Sequence, residues 1–311
     1  MQKIDQASNL RRRVQAASAP SDLDDRVVSP PPTLHTIAVT GGKGGVGKTN
    51  IAVNLALAMA QLGVKAGILD ADLGLANVDV MFRLNPRYTL KHVLTGERTI
   101  EEVIVEKYGV SVIPASSGIQ ALANLPAPNR RRLIAELSRL ANVVDILIID
   151  TPAGIGDDVM NFVLAADEIL VVTTSDPPAY TDAYALIKVI SQKKPRRINL
   201  VVNMVRSAAE AREVVEILQM VAKKFQLNIN GISFAGFLPY DTKFRQALRA
   251  QVPLILEYPE TRGAKYIQLL AKKLLSVIER QSHRRDFFAN VEVLQSNPGT
   301  AAKGELQNQP Q

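Results

Sequence analysis

The sequence has 311 residues, of which 47% are hydrophobic and 22% are charged, and its formal net charge is +7. This length and apolar content suit one large folded domain or two ordinary ones, and they exclude a chain that is disordered throughout. The sequence contains no cysteine, which excludes disulfide scaffolds, cysteine nucleophiles, thiolate metal sites and Cys-ligated iron–sulfur clusters. The basic balance favours an anionic partner: a nucleotide, a nucleic acid or an acidic membrane surface.

The two ends of the chain differ in composition from its middle. Residues 1–34 include the run Ser29–Pro32, whose three consecutive prolines favour an extended linker. Residues 296–311 are rich in Asn, Gln, Gly and Pro, which predicts a disordered tail. We expect the folded domain at 35–280 and an amphipathic segment at 281–295. No stretch has the roughly 18 uncharged apolar residues of a membrane-spanning helix, and the N-terminus lacks the apolar core of a secretory signal, so we expect a cytoplasmic protein.

Between these ends, short apolar runs alternate with amphipathic stretches. The predicted strands are Thr36–Thr40, Ala66–Asp70, Val110–Pro114, Asp145–Asp150, Glu168–Thr173, Ile198–Asn203 and Ile232–Leu238. The predicted helices are Lys48–Leu62, Asn129–Leu140, Asp157–Ala165, Tyr180–Ser191, Ala208–Phe225, Lys243–Ala250 and Thr261–Arg280. Several strands lack polar alternation, as is typical of strands buried on both faces. The alternation of strands with helices predicts an α/β fold with a three-layer, doubly wound, mainly parallel sheet.

The strongest local pattern is a glycine-rich loop between the first predicted strand and the first predicted helix. It matches the phosphate-loop spacing GxxxxGK[ST], and its residues are Gly42, Lys43, Gly44, Gly45, Val46, Gly47, Lys48 and Thr49. Glycines allow backbone N–H groups to turn toward phosphate oxygens, and the start of the helix adds a favourable dipole. Lys48 places a positive charge on the outer phosphates, and the Thr49 hydroxyl suits Mg²⁺.

Lys43 is a second lysine within this loop, and the run from Lys43 to Thr49 resembles the deviant phosphate loop of the MinD/ParA ATPases. The resemblance covers about residues 36–273 and implies a P-loop NTPase of the deviant Walker A type that uses ATP and Mg²⁺. It implies that the loop and the adjacent Asn50 bind nucleotide, and that Lys43 crosses an ATP-sandwiched homodimer to the partner's nucleotide. A cation supplied by a second subunit is the same electrostatic device as an arginine finger.

Acidic residues at two predicted strand ends complete this pattern. Asp70 and Asp72 are two apart, so in an extended chain their side chains point the same way, toward the phosphate side of the sheet. The resemblance implies that Asp72 lies in switch I, where it helps to position the attacking water and Mg²⁺. The segment Ile148–Gly154 resembles Walker B running into switch II, with Asp150 as a Mg²⁺ ligand, partly through water. An apolar strand that ends in Asp provides a rigid mount and a hard oxygen for this cation.

Recognition of the base rests on residues after two later strands. Asn203 ends one predicted strand, and Pro239 and Asp241 follow the last one. The resemblance implies that these positions contact adenine, and an Asn side chain offers the donor and acceptor that the adenine edge needs. An ordinary turn role is an equally good interpretation of Asn203 from spacing alone.

Finer features are similar to the flagellar-number regulators, the FlhG/FleN (YlxH) group of this family. They are Asn50, the segment Leu69–Asp79 and the segment Thr181–Lys188. Thr151-Pro152-Ala153 departs from this group, in which Thr-Gly-Ala is expected, and from division MinD, in which Ser-Pro-Ala is expected. The resemblance implies control of flagellar number and placement, with the SRP-type GTPase FlhF, flagellar switch (C-ring) proteins and a flagellar transcription activator as partners.

The N-terminal segment supports this group. It is similar to the DQAxxLR segment that activates FlhF, through Asp5, Gln6, Leu10 and Arg11. Asp5 suits a helix N-cap, and a helix this short is marginal alone, so it would form on a partner.

Near the C-terminus an apolar stripe is formed by Phe287, Phe288, Val291 and Leu294, with arginines beside it. The stripe suits either an anionic membrane surface, as a peripheral anchor of the ATP-bound form, or docking on the protein's own domain.

Three further functions compete with this prediction. Two basic runs, Arg130–Arg132 and Lys193–Arg197, raise a ParA-type role in positioning DNA or protein cargo. A charge run is more often a solvated face, and no groove-reading pattern accompanies them, so we do not expect direct DNA binding. The second competing function is placement of the division site, as by MinD. The third is regulation without ATP turnover.

Overall fold

The computed structural model describes residues 34–71, 77–114 and 135–280 of the chain. Several predicted features lie outside these residues: the N-terminal segment with Asp5, Gln6, Leu10 and Arg11, the switch residue Asp72, the basic run Arg130–Arg132, and the C-terminal stripe with Phe287, Phe288, Val291 and Leu294.

The described residues contain a sheet of eight strands. In chain order they are β1 (His35–Thr40), β2 (Ala66–Asp70), β3 (Val105–Lys107), β4 (Val110–Ile113), β5 (Ile146–Asp150), β6 (Glu168–Thr174), β7 (Ile198–Val205) and β8 (Ile232–Pro239). Their order across the sheet is β3-β4-β2-β5-β1-β6-β7-β8. All pairs are parallel except β3 with β4. Strands β6, β7 and β8 follow one another outward on one side of β1, and β5, β2, β4 and β3 lie on its other side, so the doubly wound prediction is confirmed.

Helices connect these strands. They are α1 (Lys48–Gln61), α2 (Asn77–Phe82), α3 (Leu90–Thr95), α4 (Ile100–Val103), α5 (Asp157–Ala165), α6 (Pro177–Lys193), α7 (Ala208–Lys224), α8 (Thr242–Ala250), α9 (Leu254–Glu257) and α10 (Arg262–Arg280). A 3-10 helix covers Arg139–Asn142. None of the helices in these described ranges is both long and apolar enough to cross a membrane.

Two hydrophobic layers cover the sheet because successive strand residues point to opposite faces. In β1, Ile37 and Val39 belong to the hydrophobic cluster that contains α1 and α10, whereas Ala38 belongs to the cluster on the other face, which contains α5, α6 and α7. All six residues of β1 are buried, which is why its sequence shows no polar alternation. The central strand is therefore fully enclosed and holds its carboxyl end in a rigid position.

The differences from the predicted elements have local reasons. The prediction omitted β3, α2, α3, α4 and α9, which span only three to six residues each. One of these helices carries a readable signal, because Thr99 and Glu102 give α4 the Thr-x-x-Glu pattern of a capping box, whereas the box of α3 pairs Thr89 with His92. The predicted helix Asn129–Leu140 is helical at 135–138 and then tightens into the 3-10 turn.

Arg196, a member of the second basic run, is part of the core. Its side chain is 3% exposed, and its guanidinium donates to the carbonyl oxygens of Leu164, at 2.6 Å, Asp167, at 2.9 Å, and Ala166. Lys193 of the same run forms an ion pair with Asp157 at 2.7 Å. These two cations therefore have structural partners within the domain.

We expect Arg196→Ala to lower the free energy of unfolding by about 2–4 kcal/mol, because buried carbonyl groups lose their donor and a cavity forms. Urea denaturation measures this difference. Arg197→Ala is the matched control, since Arg197 is exposed, and its effect should stay within about 0.5 kcal/mol. Equal effects of the two variants would contradict the structural assignment of Arg196.

Candidate functional site

The glycine-rich loop lies at the carboxyl end of the central strand. β1 pairs with β5 on one side and β6 on the other, and the loop after β1 leads directly into α1. In open α/β sheets, ligands bind outside the carboxyl ends of the strands, at the point where the strand order reverses. The predicted phosphate loop is thus at the position where the fold provides a crevice.

One side of the loop packs closely against its neighbours. A Cβ atom on Gly41 would lie 2.7 Å from the carbonyl oxygen of Val172 in β6, and one on Gly42 would overlap the backbone of Asp182 in α6. Gly47 has a φ of +95° and approaches the side chain of Asn203 so closely that a Cβ would overlap it. Glycine is required at these positions because the backbone itself forms the contact.

The other side of the loop is open. A Cβ built on Gly44 or Gly45 meets no described atom within 4 Å, and Gly45 has a φ of +79°. The loop therefore presents backbone that no described residue covers on this side, which fits a phosphate chain better than a close-packed turn.

The start of α1 makes this side electropositive. The helix begins after Gly47, which has no side chain to cap it, and its first turn contains no acidic residue. Lys48 is 8% exposed, Thr49 is half-buried and Lys43 is exposed. Free N–H groups at a helix start, together with a buried lysine, favour an anion.

Two aspartates face each other in register at the ends of adjacent strands. Asp70 of β2 pairs with Asp150 of β5, and both are buried. The Oδ2 atom of Asp70 accepts a hydrogen bond from the backbone N of Val78 at 3.2 Å, so Asp70 holds the start of α2. Asp150 extends the strand next to the phosphate loop, where a carboxylate is suited to a Mg²⁺-bound water.

The segment after Asp150 is tied to the phosphate loop. The backbone N and the Oγ1 atom of Thr151 both donate to the carbonyl oxygen of Val39, each at 3.1 Å. The backbone N of Gly154 donates to the carbonyl oxygen of Gly41 at 3.2 Å, and Gly154 has a φ of +113°. A change in either segment therefore reaches the other through these bonds.

The residues predicted to contact the base have other partners within the domain. The Nδ2 atom of Asn203 donates to the carbonyl oxygen of Val46 at 2.8 Å. Asp241 caps α8 by accepting from the backbone N of Lys243 at 2.8 Å, and Pro239 is buried. Asn203 lies two residues before the end of β7, Pro239 ends β8 and Asp241 follows it. Their contact with adenine stays a prediction.

Asn54 is a buried residue of this region that the sequence interpretation missed. Its Nδ2 atom donates to the carbonyl oxygen of Asn50 at 2.7 Å, and its Oδ1 atom accepts from the backbone N of Ile255 at 2.9 Å. It therefore links the first turns of α1 to α9. The sequence did contain a signal for this role, because Asn54 is a polar residue in the middle of an apolar stretch of the helix.

Asp79 lies in α2, beyond the end of β2. Its Oδ1 atom is buried and has no hydrogen-bond partner among the described residues. Burial raises the pKa of Asp79 to about 6, because a carboxylate loses solvation when it leaves water.

The chain belongs to the ParA/MinD family of P-loop ATPases. The ParA family model, described as "NUBPL iron-transfer P-loop NTPase", matches residues 33–275. The sequence has no cysteine, so the thiolate ligands that iron–sulfur clusters require are missing from it.

Two relatives carry names from flagellar biology. The chain is 39% identical to the antiactivator FleN of Pseudomonas aeruginosa over 86% of this chain and 96% of that protein. It is 35% identical to the flagellum site-determining protein YlxH of Helicobacter pylori over 78% of this chain and 82% of that protein.

A solved structure agrees with the fold. The cell division ATPase MinD of Pyrococcus furiosus superposes with a TM-score of 0.63 at 25% identity, over 78% of this chain and 99% of that one. The predicted family and fold are therefore confirmed.

We expect Asp79→Asn to stabilise the protein at neutral pH. For an acid whose pKa is raised by folding, the neutral form stabilises the folded state, and this stability is lost as pH rises through the folded pKa, here about 6. The free energy of unfolding should therefore be higher in Asp79→Asn than in the original protein at about pH 7.5, and nearly equal to it at about pH 3, below the ordinary pKa of 3.8. Urea denaturation at both pH values tests this, and an equal difference at both would contradict it.

Proposed function

We propose that this protein is an ATP-dependent dimerising switch that hydrolyses ATP to ADP and phosphate and controls flagellar number and placement. The observation that carries the ATP site is the loop geometry: close-packed glycines on one side, open backbone on the other, and buried Lys48 at an uncapped helix start. The flagellar role is supported by the FleN and YlxH relatives.

The described side chains suit the separate tasks of ATP hydrolysis. The loop N–H groups and Lys48 balance the phosphate charge, as preorganised donors do in phosphoryl transfer. Thr49 and Asp150, the latter partly through water, are the ligands for Mg²⁺, which neutralises charge on the outer phosphates. Within the described ranges no three His, Asp or Glu side chains form a metal cluster. That suits Mg²⁺, because this ion is usually held by one or two carboxylates together with substrate phosphates. Asp72 would orient the attacking water and serve the same ion.

Dimerisation is supported by the contrast between the two loop lysines. Lys48 is buried at the first position of α1, whereas Lys43 is exposed beside the open stretch at Gly44 and Gly45. An exposed cation at this edge is placed to reach the nucleotide of a second copy, where it would stabilise the developing charge.

The flagellar role would be exerted through partners. The N-terminal segment with Asp5, Gln6, Leu10 and Arg11 would stimulate the SRP-type GTPase FlhF, and the dimer would also contact C-ring proteins and a flagellar transcription activator. In the ATP-bound form, the stripe at Phe287, Phe288, Val291 and Leu294 would hold the protein on the inner face of the membrane.

The competing functions have weaker support. A division-site role rests on the likeness to MinD, at 33% identity for the septum site-determining protein of Synechocystis against 39% for FleN. A DNA-positioning role would draw on the second basic run, but there Arg196 is buried and Lys193 is paired.

The two loop lysines should separate ATP binding from dimerisation. We expect Lys48→Ala to abolish ATP binding, and Lys43→Ala to leave binding by the monomer within about threefold while preventing the ATP-dependent dimer and hydrolysis. Calorimetric titration and light scattering with Mg-ATP measure these effects.

The Asp72→Ala variant should trap the ATP-bound dimer, and adding Lys43→Ala should return it to a monomer. A Lys43→Ala protein that still dimerises and turns over would refute the shared site.

The flagellar assignment is tested by GTP hydrolysis of FlhF from the same cell, with and without a peptide that covers residues 1–19. We expect clear stimulation by this peptide, and its loss in a control peptide with Gln6→Ala and Arg11→Ala. Absence of stimulation by both the peptide and the full chain would remove the FlhF role. The ATPase proposal would stand, and liposome and DNA binding would then decide between the competing functions.

A further inference from the structure

We infer that Asn203 is a positioning residue of the phosphate loop, whose side-chain amide sets the direction of the Gly47 N–H before any nucleotide binds. This inference rests on the proposed ATP site and adds the device that orients one of its donors. It differs from the predicted contact of Asn203 with adenine, because its target is the protein backbone.

Both ends of the Asn203 amide are engaged. The Nδ2 atom donates to the carbonyl oxygen of Val46 at 2.8 Å, and the Oδ1 atom accepts from the backbone N of Met204 at 2.9 Å. The residue is 6% exposed, so water competes little for these bonds. If the Oδ1 and Nδ2 atoms of Asn203 exchanged places, two acceptors would meet at the Val46 carbonyl and two donors would meet at the Met204 N–H. The two hydrogen bonds therefore also determine the orientation of the amide.

This contact controls a peptide plane. In a planar trans peptide, the carbonyl of one residue and the N–H of the next point in opposite directions. Because the Val46 carbonyl points at Asn203 in β7, the Gly47 N–H points away from β7. The absence of a side chain at Gly47 is what allows the amide to approach so closely.

The strand is shaped to aim Asn203 at the loop. Met204 adopts a left-handed conformation with a φ of +59°, and the register between β7 and β8 shifts between Val202 and Val205. The pairing of β7 with β8 resumes directly after this shift. Val205 is the register partner of Pro239, and the carbonyl oxygen of Val205 accepts a hydrogen bond from the backbone N of Tyr240 at 2.8 Å. Such an irregularity re-aims a side chain at the edge of a sheet, and a left-handed non-glycine residue persists only where its surroundings hold it there.

The functional consequence is preorganisation. A donor that is already directed by the protein does not need to reorient when phosphate arrives, and this strengthens anion binding. If the amide is lost, the Val46–Gly47 peptide can rotate, and the energy of phosphate binding must then restore its orientation.

The test uses the full chain with two variants of Asn203 and one control. Asn203→Leu keeps the branched shape and the number of heavy atoms and removes both hydrogen bonds, whereas Asn203→Asp keeps the acceptor for Met204 and removes the donor to Val46. The control is Asn199→Ala, which removes a buried bond of the same strand, to Glu168 at 2.7 Å, away from the loop. Calorimetry measures the affinity for Mg-ATP and for inorganic tripolyphosphate, and hydrogen exchange is followed at residues 41–50 without nucleotide.

We expect both Asn203 variants to accelerate exchange in the loop and to lose roughly 10-fold or more in affinity for ATP and tripolyphosphate alike. Asn199→Ala should change neither. The inference is overturned if loop exchange and tripolyphosphate affinity are unchanged while ATP affinity falls, since Asn203 would then contact the base. It is also overturned if only Asn203→Asp has an effect, or if Asn199→Ala has the same effect. Failure of the unaltered protein to bind ATP would refute the proposed function, while loop exchange would still decide the role of Asn203.

Discussion

The close approach of the phosphate-loop backbone to its neighbours is the constraint on which the site depends. Gly41, Gly42 and Gly47 contact β6, α6 and Asn203 with no space for a Cβ. These contacts exist only because β1 is enclosed between β5 and β6, so that its carboxyl end cannot shift. The well-packed sheet thus converts a flexible glycine sequence into a loop of defined shape, and the open side at Gly44 and Gly45 is what remains for a ligand.

Electrostatics then determines what this shape accepts. The uncapped start of α1 and the buried Lys48 supply positive potential on the open side. Buried Asp150 places a carboxyl group, a ligand type suited to a divalent cation, one strand away. An anion that carries a divalent cation interacts favourably with both the positive potential and the Asp150 carboxyl group, whereas an anion without a cation interacts favourably only with the positive potential. The arrangement therefore favours a metal–nucleotide complex over free phosphate.

Local patterns in the sequence were enough to predict the loop, the strands beside it and the order of the layers. The phosphate loop carries its spacing, its preceding strand and its helix within a single short segment, and buried strands show as continuous apolar runs. The short elements α3 and α4 were missed, although the capping box of α4 follows the Thr-x-x-Glu pattern in the sequence. The periodicity of a six-residue or a four-residue helix is too brief to recognise.

Contacts between distant segments were beyond such patterns. Arg196 stands in a basic run that suggests a solvated surface, and its true surroundings are carbonyls about thirty residues away in the chain. The bond between Asn203 and Val46 joins residues 157 positions apart, so spacing alone left its role open between base contact and turn. In both cases the tertiary structure decides which polar group is satisfied by which partner.

The buried amide of Asn54 gives the domain a mechanical property. α1 packs along α10, and Asn54 fastens the first turns of α1 to the backbone of α9, immediately before α10 begins. A displacement of α1 at the phosphate loop must therefore carry α9 with it or break a buried hydrogen bond. The phosphate-loop end of α1 is thus fastened to the segment that leads into α10, the helix that ends the described part of the domain at Arg280.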